Sequence, residues 1–297
     1  MRTIRLSIQA ISLPTTSWLT KKPVNWRQII LVLLFWGFTF LWMLPAIWSL
    51  VTSFRYETDI QRNLISLVPF PITTEHYQRI LGDGLVARWF LNSLVVASTR
   101  TIIQLTLCSL AAFAFTRIPF KGKRVVYVLV LIGIMVPFEA ILIPIYLFFA
   151  DLRMHNTYTA LIAPEVASPL ALFLLTQFFQ EIPTELDEAA YLDGASRLTV
   201  YLRVILPLAT PVLTTLAIFT FLGTWNEYLW PLISATDRQA LTVTIGLRKL
   251  AETFGHQTRD LGLKMAGAWV GGISVLIFYF IFQRRIVSGI KLTSGFR

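Results

Sequence analysis

Hydrophobic positions fall into six long runs, parted by short stretches that hold most of the charge. Ile29–Val51 carries no charged residue. Phe90–Phe115 holds only Arg100, and Val125–Ala150 only Glu139. Thr157–Phe179 is interrupted by Glu165 and Pro169. Thr210–Leu232 holds Glu227 near its end, and Met265–Phe282 is the shortest run. About twenty apolar residues wound as a helix cross a hydrocarbon core. The pattern therefore predicts an all-α polytopic membrane protein with six transmembrane helices and both termini on one side. The first run starts late and no small-residue cleavage site follows it, so it reads as an uncleaved span. The expected divisions are a segment 1–28, a six-helix domain 29–283 and a tail 284–297. Between the first two runs, turn signals at Pro69-Phe70-Pro71 and Gly82-Asp83-Gly84 suggest a folded loop with a short helix near 74–81.

Composition agrees. Hydrophobic residues make up 55% of the 297 residues and charged residues 14%, too few to cover a water-facing surface. The net charge of +10 is a topology signal. Segments 1–28, 117–124 and 284–297 hold thirteen Lys and Arg and no Asp or Glu. Six spans put all three on one face, which the positive-inside rule makes cytoplasmic. Basic blocks lodged between apolar runs do not make a nucleic-acid surface.

Catalytic and metal signatures are missing from the sequence. There is no G-x-x-x-x-G-K-[ST] phosphate loop and no G-x-S-x-G. His76, His155 and His256 fall in separate loops, and the single cysteine, Cys108, is mid-span. The chain is expected not to be an enzyme.

One inner segment breaks the charge pattern. Residues 180–209 hold five acidic residues against Arg197 and Arg203. Within it, Thr184 and Asp187 have capping-box spacing. Leu186, Ala189 and Ala190 share a small apolar helix face. Gly194 suits a helix end that needs positive φ. Ser196 suits the cap of a second helix over 197–206, which Pro207 and Pro211 separate from the fifth run. The segment reads as two helices outside the bilayer, longer than a mere connector requires.

Those residues carry a resemblance. Glu188-Ala189-Ala190, Gly194 and Val204-Ile205-Leu206-Pro207 resemble the EAA loop of ABC importer permeases, with Val204 where the family pattern has isoleucine. Asn92-Ser93-Leu94, Pro137-Phe138-Glu139, Ile143-Pro144, Ile182-Pro183, the run Trp225–Leu232 and Gln283-Arg284-Arg285 extend the likeness over roughly 29–290. The chain is similar to the shorter, six-span partner in carbohydrate-uptake permeases of the maltose and glycerol-phosphate type. Its end, Lys291-Leu-Thr-Ser-Gly-Phe-Arg297, departs from the Gly-Ala-Val-Lys-Gly-like tail of such relatives.

The resemblance implies a type I ABC importer permease fold in the inner membrane. It also implies a second permease subunit, two copies of a cytoplasmic ATPase and an extracytoplasmic solute-binding protein. ATP is used by the partner ATPase, and no cofactor is bound by this chain. The loop 182–207 is implied to couple to the ATPase through Glu188, Ala189, Ala190, Gly194, Leu206 and Pro207. A secondary transporter or channel acting without an ATPase is the alternative; it predicts an ion relay and no docking loop.

Charged groups inside spans usually face a cavity or a partner. Glu139, between Pro137 and Pro144, is a candidate for the substrate pathway. So are Asn226 and Glu227, flanked by Trp225 and Tyr228, because amides, carboxylates and aromatic faces suit sugars. An aromatic belt at the outer interface is the other reading of that stretch, which also holds Trp230. Glu165 is a weaker pathway candidate, and Arg100 reads as a structural pairing or as buried against the partner subunit.

Overall fold

The structure is a computed structural model and describes residues 26–68, 71–254 and 260–294. The expected N-terminal segment up to residue 25, the turn residues Pro69 and Phe70, His256 and the last three residues lie outside that description. Among the described residues every regular element is helical, apart from an isolated bridge between Arg55 and Ile72. The chain divides into two compact units, one ending at Ile47 and one starting at Trp48. In the first, the described part is helical and apolar on all sides, with Leu33, Phe35, Trp36 and Trp42 exposed.

The helices are α1 (Trp26–Ser53), α2 (Glu57–Arg62), α3 (Glu75–Gly82) and α4 (Val86–Arg117). Next come α5 (Lys123–Ile132), α6 (Phe138–Asp151), α7 (Tyr158–Ile162) and α8 (Pro169–Glu181). The loop after α8 supplies α9 (Glu185–Leu192), α10 (Arg197–Val200) and α11 (Leu206–Leu208). The chain continues with α12 (Thr210–Asn226), α13 (Leu229–Ser234), α14 (Val243–Phe254) and α15 (Leu261–Ser294). Among the described residues three helices are long and apolar enough to cross a membrane, and counting each of three bent pairs as one span brings the number to six.

The bends follow the prolines. The third run turns by 98° at Val136-Pro137; Val136 is extended, as a residue before proline prefers. The fourth bends by 51°, where Ser168 caps α8 by accepting from Ala171 N–H and Pro169 takes the first helical position. The fifth run was expected to continue to Leu232, yet α12 stops at Asn226 and α13 starts afresh. Pro231 explains the stop. It has no N–H to give the carbonyl of Glu227, and its ring would clash there in a continuous helix.

Two apolar clusters occupy opposite halves of α4. Near its start, Val86, Trp89, Val96 and Ala97 pack with Leu241, Val243, Ile245, Leu250 and Leu263. Trp89 lies so close to Gly246 that a Cβ there would enter the indole ring. Near its end, Cys108, Ala112 and Phe113 pack with Leu172, Leu175, Phe179, Val200, Tyr201 and Ile205. The Asn92-Ser93 pair now has a physical role. Asn92 Nδ2 donates to the carbonyls of Gln239 and Leu241, its Oδ1 accepts from Tyr158, and Ser93 Oγ accepts from Val243 N–H. Together they fasten the stretch before α14 to α4.

Candidate functional site

The loop over 182–207 is built on α4. The final residue of that helix, Arg117, makes an ion pair with Asp187 of α9, both side chains being buried. Arg117 also donates to the carbonyl of Ile182 at 2.7 Å. This corrects the expected capping box: Thr184 makes no side-chain cap bond, and Asp187 is spent on Arg117 instead of the helix start. The pairing partners are far apart in sequence, which is why spacing within the loop did not reveal them.

The other end of α9 explains the spacing of the EAA pattern. Gly194 has φ +82°, a region open to glycine without a Cβ penalty. Gly194 N–H bonds to the Tyr191 carbonyl at 3.0 Å, and Ala195 N–H reaches back to the Ala190 carbonyl at 2.9 Å. That is a Schellman stop. Ala190 provides its acceptor, Gly194 its left-handed residue, and the half-buried Ala190 and Ala195 pack on the cluster around Phe179. Glu188 and Ala189 stay exposed, as do Leu186, Tyr191 and Leu192.

Ser196 caps α10 as expected, accepting from Thr199 N–H at 3.2 Å. The helix then widens into a π turn over Tyr201–Ile205, just before Pro207. Pro207 cannot donate to the carbonyl of Arg203, and a wider turn accommodates that missing bond. Tyr201 shares a 2.7 Å hydrogen bond with Ser109 of α4. Leu206 is half-buried and Pro207 exposed. The helix break falls at Ala209, two residues after Pro207.

The proposed pathway residues separate into different settings. Arg100 pairs with both Glu165 and Glu227, the latter at 2.6 Å. Trp225 is buried, with its ring against Phe221 and Phe278. Trp230 is also buried and donates to the Ala160 carbonyl at 2.7 Å, so neither tryptophan stands as an outward belt residue. The Tyr228 ring lies under the Arg248 guanidinium, 5.0 Å from its centre. Asn226 is exposed, and its amide donates to the Leu222 carbonyl at 2.8 Å. Glu139 sits exposed on the first turn of α6 and joins neither the triad nor the pocket at Asn226.

That pocket holds about 500 Å³, with Asn226 and Trp225 of α12, Thr244, Arg248 and Glu252 of α14, and Lys264 and Gly272 of α15 in its wall. The sequence reading missed α14 because it sought runs long enough to span. The signal was present as Val243, Leu247, Leu250 and Ala251 at helical spacing, with Thr244, Arg248 and Glu252 on another face. Among the described residues no group of His, Cys, Asp and Glu is placed to hold a metal.

Residues 104–291 match the protein family described as binding-protein-dependent transport system inner membrane component. The chain belongs to that family. Among its relatives is the arabinooligosaccharides transport system permease protein of Halalkalibacterium halodurans, 31% identical over 256 residues, covering 85% of this chain and 91% of that one. The trehalose/maltose transport system permease protein of Thermococcus litoralis is 35% identical over 257 residues, 85% and 90% of the two chains. A solved structure, of a bacterial ABC transporter involved in import of the acidic polysaccharide alginate, superposes with a TM-score of 0.75 at 22% identity, covering 86% of this chain and 95% of that one. As an inner membrane component, the chain is a membrane-embedded permease subunit of an ABC importer system, with the type I permease fold. The family is one of transport subunits, not enzymes, and the stand-alone transporter or channel gives way to this reading.

Proposed function

We propose that this subunit forms half of the translocation pathway of an ATP-driven importer for a sugar or a related polyol or sugar phosphate. Its relatives named for arabinooligosaccharides and for trehalose and maltose support the carbohydrate class. The partners are a second permease subunit, two copies of a cytoplasmic ATPase that uses the ATP, and an extracytoplasmic solute-binding protein. Both termini face the cytoplasm, supported by the thirteen Lys and Arg of segments 1–28, 117–124 and 284–297. The domain 29–283 spans the membrane, and 1–28 and 284–297 lie on the cytoplasmic side.

One observation carries the coupling role: α9 presents Glu188 and Ala189 outward while Asp187, on the same helix, is pinned to Arg117 of α4. Force applied at the exposed face therefore reaches α4 through an ion pair and α12 through α10 and α11. Glu188, Ala189 and Ala190 form the docking helix. Gly194 sets its end, and Leu206 and Pro207 pass movement on to α12. This suits rigid-body alternating access. Asn226 contacts the sugar, Trp225, Glu227 and Tyr228 shape the wall behind it, and Glu139 marks a further point on the path.

The test uses the assembled transporter in liposomes. Glu188→Lys should insert and assemble but lose sugar-stimulated ATP hydrolysis and uptake. Wild-type rates of both would remove the coupling assignment. The chain alone should neither hydrolyse ATP nor transport.

A further inference from the structure

The pocket between α12, α14 and α15 is lined in a way that membrane-facing surface is not. Charged side chains in a membrane protein normally face water-filled cavities or one another. Here a guanidinium, a carboxylate, an ammonium and an amide converge on one space of about 500 Å³, within the range of small-molecule sites of about 300–1,000 Å³. Arg248 Nε donates to Glu252 Oε1 at 2.8 Å, and the guanidinium rests over the Tyr228 ring. Two contacts thus orient the pair, whose side chains are 54% and 53% exposed. Such a pair suits adjacent hydroxyls: one donates to the carboxylate as the other accepts from the guanidinium. Lys264 adds further donors at the rim.

The floor is shaped by two neighbouring glycines with different surroundings. A Cβ on Gly271 would come within 3.2 Å of Leu247, so Gly271 serves the packing of α15 on α14. A Cβ on Gly272 would meet nothing within 4 Å. No packing contact asks for glycine there, and its missing side chain leaves the cavity open.

We propose that this pocket is a carbohydrate subsite within this subunit, in which a sugar ring binds through vicinal hydroxyls to Arg248 and Glu252 and through further hydroxyls to Asn226 and Lys264. The proposal rests on the importer reading above and adds where in this chain the sugar is held. A helix of the partner permease filling the same space would bury the Lys264 ammonium, at a cost of several kcal/mol. A lipid tail has no use for the Arg248–Glu252 pair.

The experiment uses the complete transporter in liposomes, with maltose, trehalose and arabinotriose as probes. Cys108 is the single cysteine, so Cys108→Ala gives a background in which Gly272→Cys is the sole thiol of this chain. Labelling by a water-soluble thiosulfonate should slow about ten-fold in about 50 mM of the sugar that stimulates hydrolysis, as expected for a millimolar site. Adding Glu252→Gln should abolish that protection. Lys264→Cys provides a second reporter if Gly272→Cys fails to assemble. Equal labelling with and without sugar overturns the subsite and leaves the importer reading intact. So does a thiol sealed off by the partner in every condition. If none of the three sugars stimulates hydrolysis by the unmodified complex, the carbohydrate reading falls, and the subsite with it.

Discussion

Arg100 reaches Glu227 across 2.6 Å while also holding Glu165. One cation in the middle of α4 thereby joins the break before α8 to the break after α12. The side chains are 12%, 26% and 17% exposed, so little water screens them. Each break frees backbone groups and weakens helix continuity, and the triad fixes the geometry that the prolines leave loose.

Removing the cation alone should therefore be severe. Arg100→Met leaves two neighbouring carboxylates without their partner and should destabilise the fold by about 3–5 kcal/mol. The triple variant Arg100→Met, Glu165→Gln, Glu227→Gln should recover a large part of that loss. Thermal unfolding of the purified complex checks both; equal losses in the two would show that the charges do not act as a unit.

Arg117→Ala should release α9 from α4. The pair is buried, so the lost partner strands a carboxylate and costs about 3–5 kcal/mol of local stability. Hydrogen exchange across 182–195 should speed up while α12 stays protected. Arg117→Met with Asp187→Leu should restore protection of the loop.

Gly194→Val forces a β-branched residue to φ +82°, at about 1–2 kcal/mol or more. Gly194→Asn should be milder, because asparagine tolerates that region. The expected order for sugar-stimulated hydrolysis in the assembled transporter is glycine above asparagine above valine. Asparagine no better than valine would mean that backbone conformation is not what Gly194 contributes.

At Gly246 the problem is space. Gly246→Ala drives a methyl into the Trp89 ring and should cost about 1–3 kcal/mol through overpacking. Trp89→Leu in the same chain should relieve the clash partly, at the expense of the indole bond to the Arg238 carbonyl. In a double-mutant cycle read by thermal unfolding, the double variant should lose less stability than the sum of the two single losses.

Much of this architecture was legible in the hydropathy pattern. Ile29–Val51 and Phe90–Phe115 fall within α1 and α4, since a run that must leave water has few alternatives to a helix. The bend at Pro137 was signalled locally, by a residue that cannot continue a ladder. The end of α12 was also written in the chain, five residues downstream at Pro231, but a search for long apolar runs passes over it. Contacts between distant segments left no local trace. Arg100 read as a paired charge whose partners, Glu165 and Glu227, only folding could name, and Asp187 looked like a cap until Arg117 claimed it. Asn92 and Ser93 stood out only through family likeness, because apart from the Tyr158 hydroxyl their partners are backbone groups of residues 239–243 that any sequence can offer.

The Arg117–Asp187 bond also bears on how quickly and how tightly this surface can be recognised. A free loop must lose conformational entropy when it is captured, and that loss is subtracted from the affinity. Here the loss is taken during folding of the permease itself, by an ion pair at one end of α9 and a glycine stop at the other. Under the proposed coupling role, the ATPase that docks at Glu188 meets a surface already in its final shape. The contact can then be weak enough to reverse in every cycle and still be specific.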